Sequence, residues 1–212
     1  MARYLHSDTV QTLGHFPLDL QETPIDFITA SAHKFHGPER VGFLYMNSDV
    51  KVGSYISGGA QERNDMRGGT ENILGISGLH QALKWSLQNM EQESQHIVQL
   101  KEYFMSRLKA AVPDVSFNGL SGVLHKSLYT VISVAFKARP NGSMFLFNLD
   151  LKGIAVSGGS ACASGSAQGS HVIQAILPEA DYPVVRFSLG KDTAEEELDY
   201  TIGVLQNMAT AQ

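Results

Sequence analysis

The chain has little cysteine, tryptophan or charge. Its 212 residues include one cysteine and one tryptophan, and 17% are charged. A single cysteine rules out an internal disulfide, which suits a reducing compartment and sets the expectation of a cytoplasmic protein. No run of about 18 apolar residues occurs, so no membrane-spanning helix is expected. The opening MARYLHSDTV lacks the charged-then-apolar order of a secretion signal. Neither CxxC nor HExxH is present and the eight histidines are scattered, so no metal site is expected. Lys and Arg total 16 against 21 Asp and Glu, a formal charge of −5. That deficit argues against nucleic acid as the main partner, because a phosphate backbone needs a basic face. Repeats and low-complexity tracts are also missing.

What is present suits a globular chain. Hydrophobic residues make up 43%, and the length allows one large or two small domains with real cores. Tyr4-Leu5, Ile25–Ala30 and Val41–Met46 read as strands. Asp8 to Leu13 reads as a short helix ending at Gly14. The glycine-rich, charged segment 57–72 reads as a loop. Ile73, Leu74, Ile76, Leu79, Leu83 and Leu87 follow helical spacing, continued by Ile97, Leu100, Phe104, Leu108 and Val112 until Pro113. The polar stretch 90–95 marks either a bend with a domain boundary or the exposed middle of one unbroken helix. Beyond it the pattern is α+β: a strand over 128–136, a helix over 143–153 ending at Gly153, and strands over 154–156 and 184–190. A final helix begins with Thr193 and Glu196 in a capping box.

Three places carry chemistry. In SAHKFHGP, Lys34 sits where an apolar strand ends. A lysine there can form a Schiff base with an aldehyde if its setting leaves the amine partly deprotonated. Asp8 follows another short strand. Lysine and aspartate together are the pair that pyridoxal 5'-phosphate (PLP) needs, one for its aldehyde and one to keep its ring nitrogen protonated. Ser31 and His33 beside the lysine suit a phosphate. The second place is Cys162 in SGGSACASGSAQGS, where nine of fourteen residues are Gly or Ser. Such a stretch has little to bury. Its cysteine is either a nucleophile on a moving arm or an incidental surface thiol. The third is Arg186 in VVRFSLG, which either clamps a carboxylate or faces solvent from a strand.

Taken together, HSDTVQTLGHFPLD, SAHKFHGP, GGAQERNDMRGGTEN, NLDLKGIAVSGGSACASGS and RFSLG resemble the cysteine desulfurases, in this order and at suitable spacing. The cysteine-bearing segment resembles the long-loop class that serves iron–sulfur cluster assembly. The resemblance implies a PLP-dependent transferase type I fold of the α/β class. Residues 1–92 would be the C-terminal part of the large PLP-binding domain, and 93–212 a small α+β C-terminal domain. It implies Lys34 as the Schiff-base lysine and Cys162 as the persulfide-forming cysteine. Asp8 would pair with the ring nitrogen and Gln11 with the ring hydroxyl. Ser31 and His33 would bind the phosphate, Thr70 the phosphate of the other subunit in a homodimer, and Arg186 the substrate carboxylate. The implied reaction converts L-cysteine to L-alanine and leaves sulfur on Cys162 for an acceptor such as an iron–sulfur scaffold.

The resemblance covers the family's C-terminal half. An N-terminal half, with its phosphate-binding glycine/threonine cup and ring-stacking histidine, is expected from a complementary chain. Two other readings stand beside this one: a truncated non-catalytic remnant or interaction module, and a related PLP enzyme acting as a selenocysteine lyase or aminotransferase. Two local departures occur. Arg40 stands where glycine is usual after GPE, and at positive φ it would cost about 1 kcal/mol or more. The segment QERNDMRGGT is one residue longer than the family's loop.

Overall fold

Short apolar runs near the N-terminus build a three-stranded sheet. It is seen in a computed structural model that describes residues 3–54, 56–58, 66–137, 142–158, 170–178 and 182–210. Strand β1 (His6–Asp8) lies parallel to β2 (Phe27–Ser31), with Asp8 opposite Thr29. β2 lies antiparallel to β3 (Gly42–Met46). The alternation along β2 is regular: Ile28 and Ala30 are buried, and their neighbours are half-buried. A 3-10 helix, Ala32–Phe35, follows β2 directly. These elements belong to the first of two units, Met1–Gln92 and Glu93–Gln212.

Two expectations in this unit are corrected. The first strand starts at His6, and Leu5 before it bonds to the start of β2 and to the residue preceding it. Its N–H donates to the Asp26 carboxylate (2.7 Å), and its carbonyl accepts from the Asp26 and Phe27 amides. Instead of a helix over 8–13, Asp8 ends β1 and residues 10–15 form hydrogen-bonded turns. The Asp8 carboxylate accepts from Val10 N–H (2.9 Å), and both Thr9 donors go to the Thr29 carbonyl. These side-chain bonds compete with a helical ladder.

Helix α1 (Ile73–Ala111) is unbroken over 39 residues, so the polar stretch 90–95 is helical throughout. Asn72 starts it by accepting from Gly75 N–H (3.0 Å). Residues up to Gln92 belong to the first unit and the remainder to the second. Ile97, Leu100, Phe104, Leu108 and Val112 are buried at helical spacing, whereas Leu74 is 87% exposed. No helix among the described residues is long and apolar enough to cross a membrane.

The second unit holds an antiparallel sheet in the order β4 (Val115–Phe117), β5 (Val131–Phe136), β6 (Val184–Ser188). Helices α2 (Gly142–Asp150), α3 (His171–Ile176) and α4 (Glu195–Thr210) complete it. Its core joins the buried stripe of α1 to Ile132, Val134 and Phe136 of β5, Val185 and Phe187 of β6, and Leu198, Ile202 and Leu205 of α4.

The strand expected at 154–156 does not form. Gly153 at φ 74° closes α2, and the Ile154 amide turns back to the Leu149 carbonyl (3.0 Å). Only Ser157 reaches β6, as an isolated bridge to Arg186. The capping of α4 is also shifted by one residue. Glu197 accepts from the Ala194 amide (3.0 Å), while Thr193 Oγ1 accepts from Gly190 N–H (3.0 Å).

Candidate active site

A parallel strand pair brings its carboxyl ends to one edge, and ligands of open α/β sheets bind outside such ends. Here that edge carries Asp8 at the end of β1 and Ser31 at the end of β2. His33 and Lys34 follow in the 3-10 helix. Gln11 lies exposed on the turn after Asp8. Lys34 is half-buried and His33 exposed, while Ala32 and Phe35 on either side of this pair are fully buried. The alternation anchors the short helix and turns its polar members outward. Ser31 is extended (φ −130°), and its hydroxyl does not cap the helix.

The backbone here is tightly constrained. His36 ends the 3-10 helix at φ 64°, and the Gly37 amide returns to the Ala32 carbonyl (2.8 Å). The Ala32 amide donates to the Val41 carbonyl (2.9 Å). Arg40 has φ 61°, so the conformation that makes glycine the expected residue after GPE is kept by an arginine. His15, which no motif singles out, approaches the Lys34 carbonyl with Nε2 at 3.2 Å. The signal that points to it is Gly14 before it, whose φ of 83° marks a sharp change in chain direction.

Thr70 is exposed beside Gly69 (φ 109°). The neighbouring Arg67 and Glu71 form a 3.0 Å ion pair. In the second unit Arg186 lies on β6 opposite Ser133, with its backbone bonded both ways to Ser157 (2.7 and 3.2 Å). Its neighbours Val185 and Phe187 face the core, so Arg186 is on the other face. Its Nε is buried with no hydrogen-bond partner among the described residues. A buried donor left unpaired costs free energy, so this atom is suited to an acceptor supplied by a ligand. Cys162 lies outside the described residues, as does most of the loop around it.

These residues fit PLP in the chemistry of their donors and acceptors. Lys34 offers an amine, Asp8 a carboxylate, and Ser31 and His33 phosphate donors, all along one sheet edge. No group of three or more His, Cys, Asp or Glu suited to a metal occurs among the described residues.

Comparisons with known proteins agree. The cysteine desulfurase IscS of Dictyoglomus turgidum is 40% identical over 207 residues, covering 97% of this chain and 51% of that protein. Its counterpart from Clostridium botulinum strain Hall is 39% identical over 204 residues, again 95% and 51%. The chain thus spans about half the length of the curated relatives it matches. Among solved structures, a NifS-like protein superposes with TM-score 0.83 at 31% identity, covering 97% of this chain and 52% of that one. An apo cysteine desulfurase from Thermococcus onnurineus shares the fold at TM-score 0.82 and 19% identity. The fold is that of the type I PLP-dependent transferases. The aminotransferase class-V profile matches residues 2–201, running through both units, and on that match the chain belongs to the aminotransferase class-V family.

Proposed function

We propose that this chain is part of a PLP-dependent cysteine desulfurase that converts L-cysteine to L-alanine and hands the sulfur to an acceptor protein. The observation that carries the reading is the shared carboxyl edge of β1 and β2, where Asp8 and Ser31 end their strands and His33 and Lys34 follow in the 3-10 helix. Names of the similar proteins support it. The chain spans about half the length of those relatives, and the proposal concerns the part it covers.

In this reading Lys34 would hold the cofactor at its aldehyde, and Asp8 would keep the ring nitrogen protonated. Gln11 meets the ring hydroxyl, and Ser31 and His33 hold the phosphate. Thr70 serves the phosphate of the second subunit in a homodimer. When bound, the protonated ring draws electron density from the substrate carbons. Arg186 grips the substrate carboxylate through its buried, unpaired Nε. The Lys34 amine moves protons at the substrate carbon. The Cys162 thiolate attacks the substrate sulfur, and the C–S bond breaks. The pair of electrons in that bond stays with carbon, which takes up a proton to give alanine. The sulfur remains on Cys162 as a persulfide. Domain roles follow: 1–92 anchors the cofactor, and 93–212 carries the cysteine and the carboxylate grip.

The reading is tested by incubating the chain with PLP, reducing with borohydride and locating the adduct by peptide mass. An adduct confined to Lys34 supports it; lysines labelled alike refute it. With the complementary half of a similar desulfurase added, alanine formation from cysteine is expected, and Cys162→Ser should abolish sulfur transfer while leaving the Lys34 adduct. The use of Cys162 separates this reading from a transaminase, which has no need of a thiol there.

A further inference from the structure

We infer that His15 is a positioning residue for Lys34, and that it ties the lysine-bearing 3-10 helix to the turn that carries Asp8 and Gln11. The inference rests on reading Lys34 as the residue that meets the cofactor. A 3-10 helix of four residues has poor hydrogen-bond geometry and does not sustain itself. This one also ends in a non-glycine residue at positive φ, His36. Its position is therefore set from outside.

Beside the Ala32 amide's bond to the Val41 carbonyl (2.9 Å) and the Ser86 hydroxyl that donates to the Phe35 carbonyl (3.5 Å), two junctions on the side of the turn supply that restraint. At the first, the Thr9 amide (3.0 Å) and hydroxyl (2.8 Å) both donate to the Thr29 carbonyl, fastening the start of the turn to β2. At the second, His15 Nε2 meets the Lys34 carbonyl at 3.2 Å. A carbonyl only accepts, so Nε2 carries the proton. Gly14 makes the approach possible. A Cβ there would lie 3.0 Å from Phe35 Cβ and 3.4 Å from Ser86 Cβ, and φ is 83°. The turn thus closes against the 3-10 helix at Phe35 and delivers the next side chain to Lys34.

The consequence is geometric. The amine of Lys34 must meet a carbon whose place is set in part by Asp8 and Gln11. A turn pinned at Thr29 and Lys34 fixes the distance between those groups. Displacements of about 1 Å at such a site have large effects on rate.

The experiment compares the full chain with His15→Phe and His15→Gln, the latter retaining a donor near the position of Nε2. Far-UV circular dichroism confirms the fold of each. Two quantities are read: the share of PLP–borohydride adduct on Lys34 relative to other lysines, and exchange of the Gly37 amide, which closes the 3-10 helix. In His15→Phe the Lys34 share should fall about fivefold and Gly37 exchange should quicken about tenfold. His15→Gln should restore most of both. If His15→Phe keeps the wild-type share and exchange, the inference is overturned and the lysine reading survives. If wild-type lysines are labelled alike, both fail together.

Discussion

Arg186→Met separates a ligand-binding arginine from an ordinary strand residue. Arg186 Nε is buried and unpaired among the described residues. Leaving one buried donor unsatisfied costs about 1–3 kcal/mol. Methionine keeps much of the apolar stem and removes the donor and the charge. Taking the low end, because the arginine is half-buried and water reaches part of it, the variant should gain about 1 kcal/mol in the second unit. With a urea dependence of about 2 kcal/mol per molar, the midpoint rises by about 0.5 M. Urea unfolding followed by far-UV circular dichroism measures it, with amide exchange at Val185 and Phe187 assigning the change to this unit. The same variant should lose productive cysteine binding in the complemented enzyme. Arg186→Lys should recover little, because an ammonium cannot grip a carboxylate with two parallel bonds. A midpoint that falls by 0.5 M would refute the reasoning, since the guanidinium would then be stabilising the sheet.

Arg40→Gly should stabilise the first unit by about 0.5–1 kcal/mol by relieving φ 61°, read from Trp85 fluorescence in urea; an unchanged or lower midpoint counts against strain at this turn. Lys101 is fully buried, and its Nζ donates to Ser127 Oγ (2.9 Å), the Leu128 carbonyl (2.9 Å) and the Val131 carbonyl (3.0 Å). Lys101→Met strands these acceptors and should cost about 2 kcal/mol, and a neutral result in the urea midpoint would show that relief of the buried charge balances them. Burial lowers the Lys101 pKa, so the unfolded chain binds the extra proton just below pH 10.5, and stability should rise with pH across that window. Tyr129 behaves oppositely: burial, with Glu93 adding to it, pushes its pKa up to about 12, so stability should fall as pH climbs from 10 towards 12. Tyr129→Phe should flatten that alkaline limb in a urea-midpoint series, and an unaltered limb would contradict the assignment.

Much of this was legible in the sequence where one short-range rule governs. The stripe from Ile97 to Val112 is regular, and it is the part of α1 that is buried. Phe27–Ser31 and Val131–Phe136 are rich in apolar and β-branched residues, and both are strands. The residues quoted around Lys34 pointed to the family that the match over residues 2–201 shows. Failures occur where a distant partner decides. Residues 8–13 carry a helical pattern, but Thr29, some twenty residues away, takes both Thr9 donors. Residues 154–156 read as a strand, but the closure of α2 takes the Ile154 amide. Three-residue β4 is too short for any periodicity to register. His15 belongs to the same class: a histidine after Gly14 has no meaning until the turn is seen against Phe35.

The distribution of the candidate residues along the chain carries a mechanistic consequence. Asp8, Gln11, Ser31, His33, Lys34 and Thr70 fall in Met1–Gln92, and Cys162 and Arg186 in Glu93–Gln212. In the proposed reading, groups for the cofactor thus belong to one unit, and groups for the substrate carboxylate and sulfur to the other. Each set is supported by its own network: Thr9 and His15 around the lysine, Ser157 and the β5–β6 ladder around the arginine. Perturbations within one network should therefore leave the other's step intact, because couplings are large only between residues that share contacts. An Arg186 variant should raise the KM for cysteine without altering PLP labelling of Lys34. A His15 variant should do the reverse, weakening labelling while sparing the KM of whatever enzyme remains loaded. If both variants changed both quantities to the same degree, the two sets would have to act as one site even before substrate binds, and the division of labour between the units would be wrong.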